Sequence, residues 1–237
     1  MEEPPVSGPV EPPPLRPFVE PTPVPGHALD RLIRSPDLLL AELDGPGAGR
    51  LIAMLAATAL GGHVAYGLVV ASFSGGAQWW AAPAKIVLGT ALCGAICFPS
   101  LYIFATLAGA EVRAKHVLGV LLGLLALTAV FLVGFAPVSW VFSQSSTLVS
   151  FVGAIHLIVW GISILMSARV VQASLRRWKS KHPELTMVWL LVLIVTCCQM
   201  MTTLRPLVGS SERFFDPEKK FFLQHYLETM TEDADRK

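Results

Sequence analysis

Residues 148–168 read LVSFVGAIHLIVWGISILMSA, and after Arg169 residues 170–183 read VVQASLRRWKSKHP. The first part is 21 residues without a formal charge, long enough as a helix to cross a hydrocarbon core about 30 Å thick. The second part gathers Arg176, Arg177, Lys179 and Lys181, with Arg169 at the junction. Basic residues immediately beyond an apolar run mark its cytoplasmic end. This stretch therefore predicts a membrane span and fixes its direction.

The rest of the chain agrees with that reading. Of 237 residues, 53% are hydrophobic and only 15% charged, and the mean hydropathy is +0.59, which places the chain among integral membrane proteins. Between Leu51 and Ala168 the only formal charges are Lys85, Glu111, Arg113 and Lys115, so the net charge of +1 says little about partners. Cys93, Cys97, Cys197 and Cys198 all fall inside apolar runs and lack a metal-knuckle or redox-motif spacing. The N-terminus has no basic start or short apolar core of a secretory signal, so the first span is expected to direct insertion.

Five spans are expected, at about 51–73, 84–110, 117–136, 148–168 and 187–204, together forming a transmembrane domain over 51–206. The third is expected to close at Pro137, and the fourth is the opening stretch. Residues 1–27 are Pro-rich and read as a disordered cytoplasmic tail, in which PPPLRP (12–17) has the spacing of an adaptor ligand. Residues 28–50 read as a membrane-proximal amphipathic helix lying on the headgroups, with Ser35 as N-cap, Pro36 at its first position and Gly45-Pro46-Gly47 as its stop. Residues 207–237 read as a second amphipathic helix, with Phe221, Phe222, His225 and Tyr226 on one face. The fold class is thus all-α, a five-helix membrane bundle flanked by amphipathic helices. Basic residues before span one and in the loops after spans two and four put the N-terminus in the cytoplasm and the C-terminus across the membrane, the inner membrane if the chain is bacterial. Arg205, Arg213, Lys219 and Lys220 pull the other way; a fifth span that failed to cross would leave the tail inside.

Helices in lipid associate through small residues and polar contacts. Ala53, Ala57, Gly61 and Ala65 make a four-residue stripe on span one, and Gly119 and Gly123 a second on span three. Both are expected to be helix-packing faces. Polar residues at membrane depth are scarce: His63, His156 and the amide of Gln199. At about 1.5 Å per residue, His63 sits roughly 18–20 Å up span one, His156 roughly 12 Å down span four and Gln199 roughly 18 Å up span five. They are expected to share a layer, with Cys93 and Thr128 within about one turn of it. The plainer reading of the layer is interhelical hydrogen bonding. The sharper one is a metal or proton-handling site built on His63, His156 and Cys93.

No spanning segment contains Asp or Glu, and no zincin, nucleophile-elbow or phosphate-loop motif occurs. No catalytic residue, resident metal or cofactor is therefore expected, and no nucleic-acid module is recognisable. The expected partners are membrane lipids and proteins, a second copy of the chain among them. Arg176, Arg177, Lys179 and Lys181 are the residues expected to meet anionic headgroups.

The layout resembles the Yip-domain family of five-span membrane proteins. Leu32-Ile33-Arg34-Ser35-Pro36 is similar to the Ser-Pro entry of its bacterial members, and Glu42-Leu43-Asp44-Gly45-Pro46 to the acid-Leu-Tyr-Gly-Pro frame of its eukaryotic members, without the tyrosine. The family's Gly-Tyr motif is absent; only Gly94 and Pro99 are reminiscent of it. The resemblance covers roughly residues 29–206 and implies a non-enzymatic membrane scaffold. In eukaryotes such scaffolds bind small GTPases, a role the missing tyrosine puts in doubt. The alternative expectation is a small transporter or channel component that uses the polar layer.

Overall fold

A computed structural model describes residues 25–182 and 184–203, and every regular element among them is helical. The elements are α1 (Pro25–Arg34), α2 (Pro36–Ala41), a 3-10 turn (Glu42–Asp44), α3 (Ala48–Ser74), α4 (Gln78–Leu107), α5 (Ala114–Ser145), α6 (Val149–Arg177) and α7 (Glu184–Thr203). The Pro-rich tail and the C-terminal amphipathic helix expected from sequence lie outside the described residues.

Four helices, α3 to α6, are long and apolar enough to cross a membrane. With 27 to 32 residues each, they are roughly 40–48 Å long at about 1.5 Å per residue, the full thickness of a bilayer with its headgroups. Their outer surfaces carry large apolar side chains such as Ile158, Leu165 and Ile96, each more than half exposed. A water-soluble protein rarely tolerates so continuous an apolar exterior, whereas lipid accepts it. In α7 the apolar stretch is shorter, Met187–Met200.

α5 is the central helix. In its most apolar window 61% of the residues are buried, against 22–33% for the other three long helices. It runs parallel to α3, because Tyr66 meets Ser139 and Ser72 meets Gln144, and antiparallel to α6, because Ser143 meets His156 and Gly123 meets Val170. α4 lies antiparallel on α3, and α7 antiparallel on α4, where the Trp189 indole N–H donates to Ser100 Oγ at 3.0 Å. Backbones approach closely where side chains vanish. A Cβ on Gly67 would lie 2.5 Å from Pro83 Cα, and one on Gly62 would lie 2.7 Å from the Ala129 methyl. Gly75 and Gly76, both at positive φ, make the turn between α3 and α4.

Several boundaries differ from the sequence expectation. α5 continues through Pro137 to Ser145, nine residues past the expected end at residue 136. Proline inside a membrane helix is tolerated because neighbouring groups re-satisfy the freed carbonyl. α4 starts at Gln78, so that Trp79, Trp80 and Pro83 belong to the helix and Lys85 is buried within it.

The segment before α3, expected as one amphipathic helix, is broken in two. It folds back as two short helices under one end of the bundle, with Leu32, Leu39, Leu40 and Leu43 each no more than 3% exposed. Gly119 and Gly123 receive it: a Cβ on Gly119 would sit 2.5 Å from Leu43, and one on Gly123 would contact Leu32 and Val170. Ser35 is at the N-cap position of α2 but makes no side-chain cap; its N–H instead closes the last turn of α1 on Arg31 O at 2.7 Å. Four apolar side chains without lipid or water around them gain more in the bundle than on its rim. Arg31 pairs with Glu42 across the hairpin, and Lys115 Nζ donates to Leu43 O at 2.8 Å.

Candidate functional site

Two polar sites stand out, one inside the bundle and one at its capped end.

Inside, α3, α5 and α6 bring Tyr66, Ser139, Ser143 and His156 together, all at least 92% buried. Tyr66 OH is 2.9 Å from His156 Nδ1 and 3.3 Å from Ser139 Oγ, and His156 Nε2 is 3.2 Å from Ser143 Oγ. The Ser143 hydroxyl also lies 2.8 Å from the Ser139 carbonyl one turn back. One assignment of hydrogens uses each donor once. Ser139 donates to the Tyr66 oxygen, Tyr66 to His156 Nδ1, His156 Nε2–H to Ser143, and Ser143 to the Ser139 carbonyl. The imidazole is then neutral and donates to Ser143. A serine awaiting activation needs the reverse, a histidine nitrogen that accepts its proton. The Tyr66 and His156 rings also meet edge to face, with centroids 5.6 Å apart.

The layer expected from sequence is divided among separate places. His63 is 2% exposed and its Nδ1–H donates to Ala59 O, 2.8 Å away on its own helix. Its Nε2 lone pair is buried and has no hydrogen-bond partner among the described residues. His156 bonds to Tyr66, one turn beyond His63, and not to His63. Thr128 is buried and bonds to Leu124 O of its own helix. Cys93 faces α7, where its Sγ is 2.6 Å from that of Cys197; Gln199, half-buried, follows on the same helix. Depth alone placed these residues together, but the faces of their helices separate them. Among the described residues no group of three or more His, Cys, Asp or Glu is arranged to hold a metal ion.

Sequence reasoning missed Ser139 and Ser143. Ending span three at Pro137 turned both into loop residues, whereas their four-residue spacing on a continued helix would have aimed them at the same neighbour. The small-residue stripe of α3 also differs from expectation. Ala53, Ala57, Gly61 and Ala65 are exposed, and a Cβ on Gly61 would meet nothing within 4 Å. α3 packs through Leu51, Leu55, Ala59, Tyr66 and Val70 instead.

At the capped end, Asp44 holds α5 and α6 to the chain before α3. Arg177 Nη2 donates to Asp44 Oδ2 at 2.9 Å, and His116 Nε2 is 3.0 Å from Oδ1. The Arg177 hydrogen bond holds the Asp44 carboxyl below its ordinary range against the opposing desolvation, and the charges of His116, Arg177 and Lys115 add to the lowering. Asp44, Glu111, His116, Arg177, Trp178 and Lys179 line an open cleft of about 410 Å³. Of the basic residues expected to meet headgroups, Arg176, Lys179 and Lys181 are exposed, while Arg177 is engaged by Asp44. Arg169 turns away from them and stacks over the Phe131 ring, 5.2 Å from its centroid.

No protein-family model, no curated protein and no solved structure matches this chain.

Proposed function

We propose that the chain is an integral membrane interaction protein without catalytic chemistry, a five-span scaffold similar in plan to Yip-domain proteins, with its capped end and N-terminus in the cytoplasm and its C-terminus opposite. The observation that carries this reading is the exposed Ala53–Ala57–Gly61–Ala65 stripe. Small residues every fourth position let two membrane helices approach backbone to backbone. Among the described residues the fold uses the other face of α3, which leaves the stripe open to a helix of a partner protein or of a second copy. Arg176, Lys179 and Lys181 suit anionic headgroups beside the capped end, each worth about 1 kcal/mol near a charged surface. The closed hydrogen-bond circuit at His156 fits a structural role for that histidine.

Crosslinking and co-purification from native membranes test the reading. Gly61→Leu fills the stripe without touching the bundle and should abolish the recovered complex while leaving expression and thermal stability unchanged. An undiminished complex would sink it.

One observation favours a second reading, a transporter or channel component: the buried Nε2 of His63, unpartnered among the described residues. That reading requires a flux in reconstituted vesicles that His63→Ala and His156→Ala both abolish; no flux, or flux unchanged by them, removes it.

A further inference from the structure

All four cysteines of the chain are buried on two helices that face each other: Cys93 and Cys97 on α4, Cys197 and Cys198 on α7. The sequence pairs them as near neighbours on each helix, and the antiparallel packing of α4 and α7 then sets Cys93 against Cys197. Their sulfurs are 2.6 Å apart, about half an ångström more than the roughly 2.05 Å of a disulfide. Cys93 Sγ also lies 3.8 Å from Leu193 O, a contact that places it against the turn of α7 preceding Cys197. To one side of the pair the interface is closely packed: Leu193 and Trp189 are fully buried, and the Trp189 indole is tied to Ser100.

We propose that Cys93 and Cys197 are a thiol pair that a small hydroperoxide such as hydrogen peroxide oxidises to an intramolecular disulfide, stapling α7 to the bundle. Hydrogen peroxide is uncharged and small enough to enter apolar surroundings. Cys197, 6% exposed against 1% for Cys93, is met first. Its sulfur attacks one peroxide oxygen and the O–O bond breaks. The thiol proton passes to the departing oxygen, leaving water and a sulfenic acid on Cys197. The Cys93 sulfur then attacks the Cys197 sulfur; the S–S bond forms, the S–O bond breaks, and the Cys93 proton leaves with the hydroxyl as a second water. Two thiols and one peroxide give one disulfide and two waters, with two electrons moved from sulfur to oxygen. Because α7 packs mainly on α4, the bond converts the most peripheral helix of the described bundle into a fixed one.

Full-length protein in lipid nanodiscs, reduced and freed of reductant, is treated with hydrogen peroxide, unfolded, alkylated with a maleimide and analysed by mass spectrometry. The expected result is two alkylated cysteines in place of four, and a linked peptide pair joining Cys93 to Cys197 that lacks two hydrogens. Cys97→Ser and Cys198→Ser should each keep the link. Cys93→Ser should lose it and leave a Cys197 sulfenic acid that dimedone captures. Four alkylated thiols after peroxide overturn the proposal, as does a link that persists in Cys93→Ser, one between two copies of the chain, or sulfinic acid without any link. The wild-type measurement decides even where a variant does not fold.

Discussion

Tyr66→Phe removes one oxygen and leaves its partners out of balance. His156 Nδ1 loses its donor, and the Ser139 hydroxyl loses its acceptor, both buried where water does not replace them. Interhelical hydrogen bonds in membranes are worth about 1 kcal/mol, and an orphaned buried group costs about 1–3 kcal/mol. The variant should therefore unfold about 1–2 kcal/mol more easily in a detergent titration. Combined with His156→Ala the two losses should fall well short of additive, since both break one circuit. Additive losses would mean that the residues are not coupled. Asp44 makes the pH-dependent counterpart. Its carboxyl is held below the ordinary value of 3.8, so the clamp is present above that value and is lost as pH falls through the lower native one. Wild type should be the more stable of wild type and Asp44→Asn at neutral pH, by a small margin because the carboxylate is well exposed. The difference should shrink as pH drops below 3.8 and vanish below the lowered native value. A difference that persists once the carboxyl is fully protonated would show that Asp44→Asn harms the fold by some route other than the lost charge.

At the scale of elements, the cap is the feature whose packing can be tested most directly. The three atoms nearest a Cβ on Gly119 all belong to the Leu43 side chain, so Gly119→Ala should be absorbed by a shift of that side chain. Gly119→Ile cannot be absorbed this way, and should displace the 3-10 turn at a cost of about 1–3 kcal/mol. A cysteine placed at the buried Leu40, which leaves Leu43 in place, should then react with a water-soluble maleimide that it resists in the parent; equal reactivity in both would show that Gly119 does not seat the cap. The existence and order of the long helices were legible in the sequence, because uninterrupted apolar runs and basic flanks report on the lipid itself. The faces were not. Hydropathy is nearly uniform around a membrane helix, so it cannot tell the exposed Ala53–Gly61 stripe from the buried Leu51–Leu55–Ala59 face. Depth could be counted from residue numbers, and yet His63, His156 and Cys93 point to different neighbours. The leucines before α3 looked interfacial for the same reason: an amphipathic segment has one apolar face whether it meets lipid or a bundle end, and only the gap beside Gly119 and Gly123 distinguishes the two.

At the scale of the whole molecule, the four long helices place Ser145 and Arg176 at opposite ends of the bundle. Ser145 closes α5, and Arg176 lies in the last turn of α6, a helix of 29 residues, about 40 Å away along the axis. The end with Arg176 also gathers Lys115, Arg177, Lys179 and Lys181, and the cap covers it, while residues 146–148 at the other end carry no charge. The distribution of Lys and Arg in short loops orients a bundle during insertion, and on that rule the capped end is the one expected in the cytoplasm. In a background with all four cysteines replaced by serine, Arg176→Cys should therefore react with a membrane-impermeant maleimide only when the cytoplasmic side is opened, and Ser145→Cys in intact cells. Both sites are exposed, so a failure to label reports the barrier and not burial. Labelling of both from one side would mean that α6 does not cross. Labelling in the reverse pattern would keep the four-helix bundle, invert it, and place the cap and its Asp44 clamp outside the cytoplasm.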